Sequence, residues 1–211
     1  MSGAASGWDA DDDLLERAAC GDDRIFLREG RAPACDAAVQ ILIDLSGSVG
    51  VEDGAIVRTA AARLEEALKR TSGIHCRTAV FPDVAGRGPM LASEWETPPG
   101  GSRSVLASIP SRGPTPITQT LLWSLFSLGN RPEPTKLLIL FTDGVFAADD
   151  CRAEEAALKL AGIETAAVLL NLHQTAPGRR LFEKETRVVK NAAEIPLALL
   201  DVLREWRRRH P

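Results

Sequence analysis

Three short apolar runs constrain this chain more than any other feature: Val39, Ile41, Leu42 and Ile43; Leu137 to Phe141; and Ala166 to Leu170. Each is too short for a helix of three turns and is bounded by polar or turn-forming residues, the pattern of a strand covered on both faces. Such strands belong to parallel sheets with helices above and below. The intervening segments supply the helices. Ile56, Ala60, Leu64, Ala67 and Leu68 recur at helical spacing, with Arg58, Glu65, Glu66 and Lys69 left for the wet side, so residues 52–71 read as one amphipathic helix.

The remaining elements follow from alternation and punctuation. Cys76, Thr78, Val80 and Pro82 alternate with other types over 76–82, a strand whose far end the proline limits. Gly and Pro break up residues 84–104, leaving room for an edge strand around Met90 to Trp95 before a flexible Pro-Pro-Gly-Gly-Ser stretch. Ile117 to Leu128 is apolar on most sides, as in a helix buried against a sheet, and Gly129-Asn130 with Pro132 and Pro134 ends it. Asp149 or Asp150 caps a helix to Ala161, Gly162 closes it, and a strand leads to Leu170. A last helix starts at Pro196 and carries Ile195, Leu199, Leu203 and Trp206 on one face. Strand and helix alternate throughout, without an internal repeat. The expected class is therefore α/β: an open, doubly wound, mostly parallel sheet with helices on both faces.

At 211 residues the chain fits one such domain with an arm. Residues 1–21 read as a flexible acidic lead-in, 22–208 as the domain and 209–211 as a tail. Apolar and charged fractions of 45% and 26% exclude a disordered chain, and the net charge of −4 argues against a nucleic-acid partner, which requires a basic face. No apolar run approaches the roughly 20 residues of a membrane span, and no signal-peptide pattern opens the chain, so the reading is cytoplasmic with no membrane partner. Cys20, Cys35, Cys76 and Cys151 form no C-x-x-C pair and read as reduced structural thiols. His75 and His173 read as strand-end or loop histidines rather than ligands, and Trp95 and Trp123 as packing residues. Arg204, Arg207, Arg208 and Arg209 read as a solvated helix end complementing the helix dipole.

Chemistry concentrates where strands end. In a doubly wound sheet, ligands bind at the carboxyl ends of the strands near the topological switch point. One strand runs directly into Asp44-Leu45-Ser46-Gly47-Ser48 and another into Thr142-Asp143-Gly144. Two carboxylates on one edge repel unless a cation lies between them, and hydroxyls two and four residues after Asp44 are neutral oxygen ligands. A hard divalent ion meets both conditions: Mg²⁺ first, Mn²⁺ or Ca²⁺ as alternatives. Without clustered His and Cys, zinc and copper are disfavoured. Gly113-Pro114-Thr115-Pro116-Ile117, ahead of the buried helix, brings a further hydroxyl.

D-x-S-x-S after the first strand, a Gly-x-Thr-Pro loop before a helix and T-D-G after a central strand together resemble the metal-ion-dependent adhesion site of von Willebrand factor type A domains, over roughly residues 36 to 205. The resemblance implies that Ser46, Ser48 and Thr115 bind the ion directly, that Asp44 and Asp143 act mostly through water, and that a partner's Asp or Glu completes the shell. Where many relatives have Gly-Gly-Thr-Pro, this chain has Pro114, which is expected to hold Gly113 extended and the loop in one state. Residues 22 to 44, the Arg-Pro-Glu-Pro-x-Lys segment at 131–136 and the Pro-x-Ala-Leu-Leu segment at 196–200 are similar to the C-terminal module of bacterial cobaltochelatase CobT-like proteins and related denitrification accessory proteins. That narrower resemblance implies an intracellular module working with an AAA+ ATPase on metal insertion into a tetrapyrrole or remodelling of a metalloprotein. The chain has no G-x-x-x-x-G-K-[ST] loop, so such an ATPase is a separate polypeptide.

The leading reading is a non-enzymatic, Mg²⁺-dependent protein-binding module. A Mg²⁺-dependent phosphatase or phosphotransfer domain is the enzyme alternative, although position 46 is Ser, where that chemistry wants a second carboxylate. A serine hydrolase lacks both the G-x-S-x-G elbow and a placed histidine. A scaffold with an inactive metal site is the third reading, with the same residues acting as turn-formers and caps.

Overall fold

The structure is a computed structural model describing residues 36–146, 151–170, 186–190 and 194–210. Every residue of strand β1 (Ala37–Asp44) is buried, as its apolar run requires of a central strand. It is flanked by β2 (Ile74–Phe81) and β4 (Thr135–Thr142), both parallel to it. Outside these lie β3 (Met90–Ser93), antiparallel to β2, and β5 (Ile163–Leu170) followed by β6 (Thr186–Val189), both parallel. The order is β3-β2-β1-β4-β5-β6. The chain winds one way from β1 and the other way from β4, so the topological switch point lies between these two strands.

Successive side chains of a strand point to opposite faces, and β1 shows what each face packs against. Val39, Ile41 and Ile43 join α1 (Val51–Lys69), α2 (Arg103–Ser108) and α5 (Ile195–Arg209) in one core. Ala38 and Leu42 join α3 (Ile117–Gly129) and α4 (Arg152–Leu160) in the other. The α/β class and the doubly wound, mostly parallel sheet expected from the sequence are what the structure shows.

The second core is not wholly apolar. Gln40, fully buried, donates to the Ser124 hydroxyl at 2.8 Å, and its Oε1 accepts from Ser127 at 2.7 Å and from the Arg77 Nε and Nη2 at 3.1 and 3.0 Å. The Arg77 guanidinium lies between the rings of Trp95 and Trp123, 4.7 and 4.3 Å from their centroids. Trp95 and Trp123 thus pack against the second core, as expected, and also hold a cation.

Several differences have physical causes. Glu65, assigned to the wet side of its helix, is fully buried: its Oε2 accepts from the Thr78 hydroxyl at 3.0 Å, and Lys69 Nζ stands 3.2 Å from Oε1. Lys69 also donates to the carbonyls of Glu94 and Thr97, both at 2.7 Å, so the pair ties the segment after β3 onto α1. The helices and strands end within a few residues of the sequence reading. Helix α2, with six residues, and strand β6, with four, were not anticipated. The expected caps Asp149 and Asp150, as well as His173, Cys20 and Cys35, lie outside the described residues, as does the 1–21 lead-in. Cys76 and Cys151 are both buried. At the end of α5, Arg209 pairs with Glu164 at 2.9 Å, and Arg207 to Arg209 occupy the last turn as the dipole favours.

Gln40→Leu removes the acceptor of a buried guanidinium. It is expected to destabilise the protein by about 2–3 kcal/mol in urea unfolding, with a coupling energy to Arg77→Met of about 1 kcal/mol or more in a double-mutant cycle. Strictly additive effects would show that the aromatic sandwich alone holds Arg77.

Candidate metal centre

The switch point places the last residue of β1 beside the last residue of β4. Asp44 is fully buried there. Its Oδ2 accepts from the Thr142 hydroxyl at 2.6 Å and its Oδ1 from the Ser46 N–H at 2.9 Å. The first bond joins two strands, and the second folds the chain after Asp44 into a tight turn. Thr142 Oγ1 in turn accepts from the Gly144 N–H at 3.0 Å, so one hydroxyl organises the start of both loops. In the sequence Thr142 is only the first letter of T-D-G, with no signal of a role of its own. Its role depends on the strand register, which the motif does not reveal.

Burial pushes the Asp44 carboxyl up to about 6; the hydrogen bonds from Thr142 and Ser46 pull it down, and the nearby Asp143 charge raises it further. Asp143 itself is largely buried and accepts from the Val145 N–H at 3.0 Å through Oδ1. The edge therefore gathers negative charge in a poorly solvated place, a condition that favours either a proton or a cation.

The hydroxyls stand beside these carboxylates. Ser46 Oγ and exposed Ser48 Oγ are 3.1 Å apart. The two hydroxyls hydrogen-bond to one another, and their spacing is close to the about 3.0 Å between adjacent ligands of an octahedral ion with bonds near 2.1 Å, so both oxygens could reach one ion with little rearrangement. Every donor is a hard oxygen. The residues present fit a hard divalent ion.

Thr115 arrives on a separate loop pinned to the first. Gly47 donates to the Gly113 carbonyl at 3.0 Å, and the Arg112 N–H to the Leu45 carbonyl at 2.7 Å. Gly113 sits at φ 88, not in the extended geometry expected before Pro114. A residue with a Cβ is strained there, and a Cβ at this position would lie 3.2 Å from the Pro82 ring. Thr115 is half-buried and lines a cleft of about 460 Å³ with the first turn of α3 and with Val145 and Phe146, which follow Asp143. The structure thus places all five predicted residues on three loops at one edge of the sheet. Asp44, Ser46 and Ser48 share a turn, Asp143 lies within electrostatic reach of Asp44, and Thr115 is joined to the turn through Gly113.

No family model matches the chain, and no curated protein does. Among solved structures it is similar to an aerotolerance-related membrane protein from Bacteroides fragilis, with a TM-score of 0.63, 12% identity, and coverage of 80% of this chain and 99% of the other. The manganese-loaded TRAP protein of Plasmodium vivax superposes with a TM-score of 0.56 at 16% identity, over 81% of this chain and 74% of that one. A von Willebrand factor type A protein from Catenulispora acidiphila gives a TM-score of 0.58 at 13% identity, over 81% of this chain and 42% of that one. The fold of the described residues, a mostly parallel six-stranded α/β sheet, is that of the von Willebrand factor type A domains.

Proposed function

We propose that this chain is a Mg²⁺-dependent protein-binding module whose ion is completed by an Asp or Glu of a partner protein. The observation that carries the reading is the pairing of a buried carboxylate, Asp44, with two hydroxyl oxygens at octahedral-edge spacing beside an open cleft. Ser46, Ser48 and Thr115 hold the ion directly; Asp44 and Asp143, already engaged by backbone and hydroxyl donors, act through water. Bound there, the ion supplies Lewis acidity that three neutral ligands leave largely unquenched, and a foreign carboxylate balances its charge. The cleft beside Thr115 is lined by the first turn of α3, where the helix dipole also favours an anion. Manganese, which the Plasmodium vivax neighbour of the same fold carries, is the natural substitute.

The reading is non-enzymatic, because position 46 offers a hydroxyl where phosphoryl chemistry wants a second acid or base. The resemblance of residues 22–44, 131–136 and 196–200 to CobT-like modules is the support for an AAA+ ATPase in the same assembly and a cytoplasmic setting; residues 22–35, which carry part of it, lie outside the described residues. Among the described residues no helix is long and apolar enough to cross a membrane.

The test is calorimetric titration with Mg²⁺, followed by affinity capture from the native cytoplasm in Mg²⁺ and in chelator. One equivalent of Mg²⁺ is expected to bind, Thr115→Ala and Ser48→Ala to weaken it by about tenfold or more, and the captured set to depend on the ion and on Thr115. Binding of Mg²⁺ untouched by either substitution sinks the reading. Hydrolysis of a generic phosphate ester that is lost in Asp44→Asn would favour the enzyme class instead.

Metal-free stability should report the same carboxylate. The folded-state value of Asp44, about 6, lies above its ordinary 3.8, so its contribution is fully present below pH 3.8 and is lost as pH rises through 6. In chelator, wild-type stability relative to Asp44→Asn is expected to fall by about 2 kcal/mol between pH 4 and 7.5, and excess Mg²⁺ to reverse the loss. Glu133 contributes equally to both proteins and cancels in the difference. A flat difference across that range would mean that Asp44 is not desolvated.

A further inference from the structure

The opposite edge of the same three strands carries a second cluster that the proposed binding function does not use. Asp36 immediately precedes β1, His75 is the second residue of β2, and Glu133 lies two residues before β4. One ligand atom from each lies within 4.8 Å of the others, and His75 Nε2 is 3.8 Å from Glu133 Oε1. We propose that Asp36, His75 and Glu133 form a second metal site, for a borderline first-row divalent cation of the zinc class, at the amino-terminal edge of the sheet.

The donor set selects the ion. One imidazole nitrogen with two carboxylate oxygens suits zinc, cobalt or nickel, whereas the Asp44 edge offers only oxygens and suits magnesium. Tetrahedral ligands at about 2.1 Å are about 3.4 Å apart, so the His75 and Glu133 atoms need only a few tenths of an ångström of closure. Asp36 is exposed and free to swing the remaining distance, and half-exposed His75 leaves an approach from solvent and room for a water ligand.

Glu133 is the fixed member. It is only 3% exposed, and Arg131 grips it through both oxygens, Nε to Oε2 at 2.9 Å and Nη2 to Oε1. A carboxylate has about four acceptor directions; this fork takes two and the residue's own backbone N–H a third, leaving one for a metal. Arg131 is itself held over the Trp95 ring at 4.7 Å, so the carboxylate is oriented by an anchored outer partner, as metal ligands commonly are. The guanidinium also offsets part of the negative charge, which penalises an ion held by charge alone and favours one that bonds to imidazole.

The experiment is titration of the full chain with Co²⁺, read by visible absorption, and with Zn²⁺, read by calorimetry, in a large excess of Mg²⁺ to fill the other edge. One equivalent is expected, with affinity unchanged in Thr115→Ala and reduced about tenfold or more in His75→Ala and in Asp36→Asn. Neither of the latter side chains is buried, so both variants are expected to fold. Cobalt binding at full affinity in His75→Ala, or cobalt excluded altogether by Mg²⁺, would overturn the site. So would Co²⁺ that leaves the His75 ring resonance unbroadened in the NMR spectrum.

Discussion

The hydrogen bond from Thr142 to Asp44 holds the carboxyl edge together. It joins the last residues of the two strands on either side of the switch point, and both flanking loops take their starting geometry from it. The carboxylate it stabilises is also the acceptor that closes the Ser46 turn. A charge with 0% exposure is expensive, and the charged group that most perturbs it is another carboxylate. A parallel strand end filled by an aliphatic residue would be simpler to fold. The placement leaves an unmet demand for positive charge, which the proposed ion would meet.

The rest of the molecule keeps that edge rigid. Gln40 and Arg77 cross-link β1, β2 and α3 inside the core, two residues along β1 from Leu42 and four from Asp44. The buried Lys69 and Glu65 pair ties α1 to β2 and to the segment after β3. Such polar contacts add less net stability than apolar packing of the same volume would, but they tolerate few alternative arrangements. A site whose donors come from three loops needs that kind of support, since an error of an ångström separates its oxygens from a common ion.

Much of this was legible in the sequence, for reasons that can be stated. The strands β1, β4 and β5 stand out because burial on both faces leaves no polar alternation, and the loops after β1 and β4 stand out because small hydroxyl and acidic residues follow directly. Local signals failed where long-range contacts decide. Glu65 sits on the polar side of its helix by composition, yet Thr78 and Lys69 give it partners that make burial tolerable. Helix α2 has fewer than two turns, too few for periodicity to register. The conformation of Gly113 follows from the demand of Gly47 for an acceptor, which no rule about the residue before a proline contains. His75 reads as a strand-end residue because Glu133, its neighbour in space, lies just before a strand on the far side of β1.

A parallel sheet sorts chemistry by strand end. All carboxyl ends of β1, β2 and β4 meet at one edge and all amino ends at the other, so residues flanking these strands are segregated before any side chain is chosen. At the carboxyl edge the chain places hydroxyls beside carboxylates, and at the amino edge an imidazole beside carboxylates. Hard and borderline cations prefer these sets in opposite order. The neutral hydroxyls matter most at the first edge: Asp44 and Asp143 already balance a dication, and a third carboxylate at position 46, bound to it directly, would make the site net negative and leave it little affinity for another anion. In the proposed site, serine there would keep the ion electrophilic, which would suit capture of a partner's carboxylate better than turnover of a substrate.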